Sequence, residues 1–406
     1  MDTQSVKQLS LAKTSGQSFL ALLTGVGDIA AGLIIATYLN IFPSEPWIIA
    51  LYPGVLSMRG VIGGLFSGRL TTGLHLGTIK ANLFAGESKK GLRPLLGSIV
   101  VLTFESSIFL AFVALLFGIL FLGIDIFSGL TIFGTLVATM GLSLLAISPV
   151  TLVVAFSSFR KGLDPDIIAY PIVSTIADIL VTLCYVLVLS VSLFMGLLGQ
   201  FILLIICIVF AGFALSITYK YARNVEFART IKEAIYTIVA VAFIVNFTGS
   251  VLSRISEVVS FKSEVYVVYP ALLNTIGGFG AIVGSTATTK LALGTINSSF
   301  RAIRNHKNQI IGAWAASAAM FTIIGAISLL LRVPIDFFST MQFIGILLTT
   351  NVLATVSMVF ISFNVAILTF KKGLDPDNFV IPIESSLADT MTTIALFVVL
   401  SLIVGF

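Results

Sequence analysis

The sequence predicts an all-α polytopic membrane protein of about 11 transmembrane helices, built as two parallel five-helix repeats with a linker helix between them. Three observations lead there. The chain is 57% hydrophobic and only 10% charged over 406 residues, with a mean hydropathy of +1.10, which excludes an ordinary soluble domain. Its apolar residues fall into eleven runs, each long enough to cross about 30 Å of hydrocarbon. A polar motif occurs twice, Lys161-Gly162-Leu163-Asp164-Pro165-Asp166 and Lys372-Gly373-Leu374-Asp375-Pro376-Asp377, which marks an internal duplication.

In chain order the expected spans lie near residues 19–41, 48–79, 94–123, 128–158, 167–194, 198–218, 231–256, 266–296, 309–331, 337–369 and 378–404. The first is too long for a cleaved signal peptide and reads as a spanning helix. Short polar turns at Ile124-Asp125 and Arg332-Val333-Pro334 separate neighbouring spans. At the duplicated motif, Gly162 and Gly373 suit the end of one helix, Asp164 and Asp375 the N-cap of the next, and Pro165 and Pro376 its first turn.

The duplication extends well beyond the motif. Pro171-Ile172, Ser174, Ala177 and Asp178 recur as Pro382-Ile383, Ser385, Ala388 and Asp389, so that 11 of the 18 positions from Lys161 to Asp178 are repeated. A second block, Pro53 to Ile79, recurs at Pro270 to Ile296 and shares Gly60/Gly277, Gly63/Gly280, Thr71/Thr288 and Thr72/Thr289. The expected organisation is a cytoplasmic segment at 1–18, a first repeat at 19–197, a linker helix and loop at 198–230, and a second repeat at 231–406. One added span between two five-span repeats makes them parallel, related by a pseudo-two-fold axis along the membrane normal. That axis would bring Asp178 and Asp389 near one another, on a pathway between the repeats.

Charge supports an orientation. With the N-terminus in the cytoplasm, 17 of the 23 Lys and Arg residues fall on the cytoplasmic side, so the expected location is the cell membrane, multi-pass, with the C-terminus outside. The net charge of +5 therefore belongs to the loops rather than to a nucleic-acid surface. Cys184 and Cys207 lie inside apolar spans and read as packing residues. His75 and His306 have no partner at metal spacing, and His306 reads as part of a basic cytoplasmic loop. No Walker, dinucleotide or hydrolase motif is present, so neither an enzyme nor a nucleotide partner is expected.

The candidate functional residues are carboxylates at membrane depth, where a charge costs roughly 3 kcal/mol or more and needs a compensating reason. Asp178 and Asp389 are the candidate metal ligands. Ser174, Thr175, Ser385 and Ser386 share their helices, and a hard cation such as Mg²⁺ prefers such oxygen ligands and keeps several waters. The alternative for each Asp is pairing with Arg59, Arg69 or Lys290. Glu384, which replaces Val173, is a candidate second-ion or proton site or a salt-bridge partner, and Asp28 is a further intramembrane candidate. Asp164, Asp166, Asp375 and Asp377 could line a cytoplasmic vestibule, although the N-cap role explains Asp164 and Asp375 without one. The glycines of the second span and its repeat suit close helix packing or carbonyls exposed to a pore.

The Gly-Leu-Asp-Pro-Asp loop, the following Pro and Ser, and the Asp fourteen residues after the first loop Asp resemble the membrane domain of MgtE magnesium transporters, and the two-repeat form resembles solute carrier family 41. Arg59-Gly60 and Ser67-Gly68-Arg69-Leu70-Thr71-Thr72 resemble that family's second helix. The resemblance covers nearly the whole chain and implies divalent cation transport, with Mg²⁺ as the transported ion and no further cofactor. It also implies that Asp178 and Asp389 match the family's ion-binding Asp, and that the fused chain could act as a monomer. The family's Gly-Asn is replaced by Gly60-Val61 and Gly277-Gly278, and gating by cytoplasmic magnesium-sensing domains is not expected. The other readings are a Na⁺- or H⁺-coupled carrier of another cation such as Mn²⁺ or Co²⁺, and a membrane scaffold or receptor whose buried charges only pair helices.

Overall fold

The fold is described by a computed structural model. It describes residues 11–39, 46–80, 88–121, 123, 126–161, 165–258, 263–292, 294, 299, 303–304, 306–331, 337–372 and 376–404. Among these the regular elements are helices: α1 (Leu11–Leu22), α2 (Asp28–Leu39), α3 (Pro46–His75), α4 (Ser88–Phe121), α5 (Ile126–Arg160), α6 (Pro165–Phe194), α7 (Gly196–Tyr221), α8 (Val225–Val258), α9 (Ser263–Ala292), α10 (Lys307–Leu330), α11 (Phe337–Lys372) and α12 (Pro376–Val404). A 3₁₀ stretch, Leu23–Gly27, joins α1 to α2. Eleven candidate spans are long and apolar enough to cross a membrane, with α1 and α2 forming one of them.

That first span is broken where the sequence analysis expects a continuous helix. The cause is local: Gly25 and Gly27 have poor helix propensity, and Asp28 suits the start of a new helix, where a carboxylate meets the positive end of the helix dipole. By contrast, α6 and α12 begin at Pro165 and Pro376 as expected. Residues 162–164 and 373–375 lie outside the described residues.

The chain divides into two compact units, a larger one of Gly27–Pro270 with Val404–Phe406 and a smaller one of Ala271–Ile403 with Met1–Val26. In the larger unit α3 and α4 pack on α8, α5 packs on α4 and α6, and α2 and α3 pack on α6. Its closest helix approaches are at glycines, because a Cβ on Gly249 of α8 would collide with the Ala50 carbonyl of α3, and one on Gly32 of α2 with the Val267 carbonyl of α9. The linker helix α7 packs on α4, α5 and α6 yet leaves Leu197, Phe201, Ile205, Val209 and Phe213 exposed. That surface suits contact with lipid.

In the smaller unit α1 packs on α10 and α10 on α11. Thr14 lies against Gly312, where a Cβ would stand 2.9 Å away, and Ala287 and Leu291 of α9 cluster with Phe363, Ala366 and Ile367 of α11. The helix that leads each half packs far along the chain: α1, ahead of α2 and α3, packs with α10, and α8, ahead of α9, packs with α3 and α4.

The glycines of α3 and α9 divide between the two expectations, close packing and open space. Among the described residues, Gly60, Gly68 and Gly277 have no neighbour within 4 Å of a Cβ built on them. Gly63 has only the Arg59 guanidinium, at 3.5 Å. Gly278, Gly280 and Gly284 of α9 are closely packed, a Cβ there standing 2.5 Å from Leu22, 2.7 Å from Met358 and 2.8 Å from Glu384.

Candidate cation site

Asp178 sits in the fifth span of the first repeat, on α6, and its carboxylate forms an ion pair with Arg59 of α3. The side chains are 8% and 14% exposed for Arg59 and Asp178 respectively, so the pair is largely withdrawn from its surroundings. The same guanidinium nitrogen, Nη2, donates to the carbonyl of Ser174 at 2.9 Å. Of the pairing partners considered from sequence, Arg59 is the one found on Asp178.

A second carboxylate joins the cluster. Asp28, fully buried at the start of α2, lies beside Asp178. Two buried carboxyl groups at close range do not both ionise unless positive charge stands with them. Thr175 flanks the entry to α2, its methyl lying where a side chain on Gly27 would be.

Hydroxyl groups fix the geometry of α6. Thr182 donates to the Asp178 carbonyl at 2.6 Å, which commits its only hydrogen, so in the 3.0 Å contact between Thr182 and Tyr52 the tyrosine is the donor. Tyr185 donates to the Ile48 carbonyl of α3 at 2.6 Å. Together these bonds hold α3 and α6 in register. Tyr52 was not singled out from sequence, although it recurs as Tyr269 at the same spacing that relates Pro53 to Pro270.

Asp389 lies on α12 in the smaller unit, 7% exposed. Thr393 donates to its carbonyl at 2.7 Å, as Thr182 does to Asp178. Ser386 is fully buried and Ser385 partly so. Glu384 is 3% exposed and faces Gly280 and Gly284 of α9, with Ser362 and Met358 of α11 beside it. Its Oε1 has no hydrogen-bond partner. Among the described residues no Lys or Arg bridges it. Ser362 carried no repeat or motif signal in the sequence.

The duplicated segments differ at the charged positions near these carboxylates. Arg59 corresponds to Ile276 in the second repeat, and Glu384 to Val173 in the first; Ile276 and Val173 are both buried.

The remaining candidates are not gathered at these places. Asp164 and Asp375 lie outside the described residues. Asp166 and Asp377 fall in the first turns of α6 and α12, and their side chains are outside the description. Arg69 pairs with Glu233 at 3.1 Å, and Glu233 also pairs with Arg229 at 2.6 Å. His306, expected in a basic loop, is fully buried at the start of α10, with Nε2 2.9 Å from Thr286 and its ring 5.8 Å from Phe363. Among the described residues no three His, Cys, Asp or Glu side chains gather as a metal cluster.

Eleven spans among the described residues, long and apolar enough to cross a membrane, define an integral membrane protein. Residues 52–188 and 269–399 match the MgtE family, described as a divalent cation transporter. These stretches make up more than half of the chain, which belongs to that family of transporters rather than to the enzymes. The chain is similar to solute carrier family 41 member 2 of Gallus gallus, 25% identical over 93% of this chain and 68% of the relative. It is also similar to solute carrier family 41 member 3 of Rattus norvegicus, 22% identical over 94% and 86% respectively. No solved structure matches the chain.

Proposed function

We propose that the chain moves Mg²⁺ across the cell membrane along a path lined by one carboxylate from each repeat, Asp178 and Asp389. The observation that supports this best is the Asp28–Asp178 cluster, in which two acids share a buried site with one guanidinium. Two buried carboxyl groups side by side give the site an affinity for positive charge, and Mg²⁺ would keep most of its waters while using a few such oxygens. In this reading the repeats are parallel, the N-terminus is cytoplasmic, the C-terminus is outside, and a single chain suffices.

Glu384 supports a coupled variant of this reading. A buried carboxylate oxygen with no hydrogen-bond partner suits a proton or a monovalent cation that travels with or against the divalent one. Mn²⁺ and Co²⁺ are the competing substrates, and a scaffold built on the Arg59–Asp178 pair is the non-transport alternative.

Mg²⁺ flux into proteoliposomes, measured with and without Na⁺ and pH gradients, tests these readings. Asp178→Asn and Asp389→Asn are expected to cut flux sharply in folded protein. Gradient-independent flux would favour a channel, and loss of gradient dependence in Glu384→Gln would assign coupling to that residue. Normal flux in both Asn variants would remove the two aspartates from the path.

A further inference from the structure

The charge that neutralises Asp178 also stands where a cation would bind. We propose that Arg59 is a tethered cation occupying the Asp28–Asp178 site, and that its guanidinium must withdraw before a divalent cation can bind there. This inference rests on the transport reading above.

Three features of the larger unit carry it. First, Arg59 takes the acceptors a hard cation would use, the Asp178 carboxylate and the Ser174 carbonyl. Second, the hold on Arg59 is incomplete, since its Nε is buried without a partner. An unsatisfied buried donor lowers the cost of leaving.

Third, Arg59 has somewhere to go. It borders a cavity among α3, α4 and α5 whose walls include Gly63, Thr103, Ser143, Ser148 and Thr151, and which is large enough to admit water. Gly63 leaves the flank of the guanidinium open on that side, a Cβ there standing 3.5 Å from Nη1. The cavity wall is otherwise apolar, and Thr103, Ser143 and Thr151 donate to carbonyls of their own helices, so their hydroxyl oxygens remain as acceptors for the displaced head group. The device belongs to one repeat only, because the corresponding residue Ile276 carries no charge.

Occupation by Arg59 weakens apparent binding by the fraction of time the site is free. If that fraction is about a tenth, removing the guanidinium tightens apparent affinity on the order of ten-fold. The test uses the full chain in proteoliposomes, with half-saturating Mg²⁺ read from flux and, independently, from the Mg²⁺-dependent rise in melting temperature. Arg59→Gln is expected to lower half-saturating Mg²⁺ by that factor in both readouts. Gly63→Val, which leaves the pair intact but closes the way out, is expected to raise it.

Folded Arg59→Gln with unchanged or weaker half-saturation would overturn the inference. Should that variant not fold, a wild-type value in Gly63→Val would do so. Either result alongside normal wild-type flux leaves the transport reading standing. A wild-type chain that neither moves Mg²⁺ nor is stabilised by it would remove the transport reading and this inference together.

Discussion

The carboxylate of Glu384 fills the space that a side chain on Gly284 would need: a Cβ at position 284 would stand 2.8 Å from Oε1 and 2.9 Å from Oε2. This contact differs in kind from that at Gly249, where the obstructing atom is the backbone carbonyl of Ala50.

The difference predicts unequal costs for one and the same substitution. Gly284→Ala displaces only the end of a side chain and is expected to cost about 1 kcal/mol of stability, with the loss disappearing in Gly284→Ala/Glu384→Ala. Gly249→Ala has no such relief and is expected to cost on the order of 3 kcal/mol. Thermal melting of the four proteins in detergent reads both. Equal costs at the two glycines, or no rescue by Glu384→Ala, would contradict the packing described.

Asn351 of α11 donates to Ser317 of α10 at 2.6 Å, and both residues are buried. Side-chain hydrogen bonds between membrane helices are worth about 0.6 kcal/mol on average and up to about 1.7. A double-mutant cycle with Asn351→Ala and Ser317→Ala is expected to give a coupling within that range. A coupling of zero would mean that the bond contributes nothing to the α10–α11 contact.

His306 predicts an acid-sensitive step. Thr286 donates its hydroxyl hydrogen to the Ile282 carbonyl at 2.6 Å, so Nε2 of His306 is the donor to Thr286 and Nδ1 is left buried without a partner. Burial, with the Lys290 charge as a smaller cause, lowers the imidazole from 6.5 to about 4. The unfolded chain then binds the proton more readily than the folded one. Stability contributed by neutral His306 is full above about pH 6.5, falls as the pH drops toward 4, and changes no further below it. Melting temperature followed from pH 7 to 4 is expected to fall more steeply in the wild type than in His306→Gln. Parallel profiles would exclude His306 as the source.

Much of this was legible in the sequence because it depends on short-range pattern. The spans follow from apolar run length, and the starts of α6 and α12 follow from Pro165 and Pro376. Asp178 stood out because a charge at that depth needs a partner, and Arg59 was already among the partners considered. The contact between Asp28 and Asp178 was not legible, since no spacing relates a residue in the first span to one in the fifth. Nor did the sequence reveal where the lead helices pack: α1 and α8 are both apolar, and periodicity does not say which part of the chain supplies the surface they cover. His306 misled because its neighbours Arg304 and Lys307 are basic, whereas its burial is set by Thr286 and Phe363 on other helices.

The packing of the lead helices sets an order of assembly. Sequential synthesis delivers α1 to the bilayer first, yet its packing surface on α10 does not exist until the chain has been made as far as Leu330. The α8 helix, by contrast, emerges when α3 and α4 are already in place. The larger unit can therefore close while the ribosome is still working, and the smaller one closes late, through a contact between distant parts of the chain of the kind that forms slowly. Until then the earliest helix made waits in lipid for the surface it will cover.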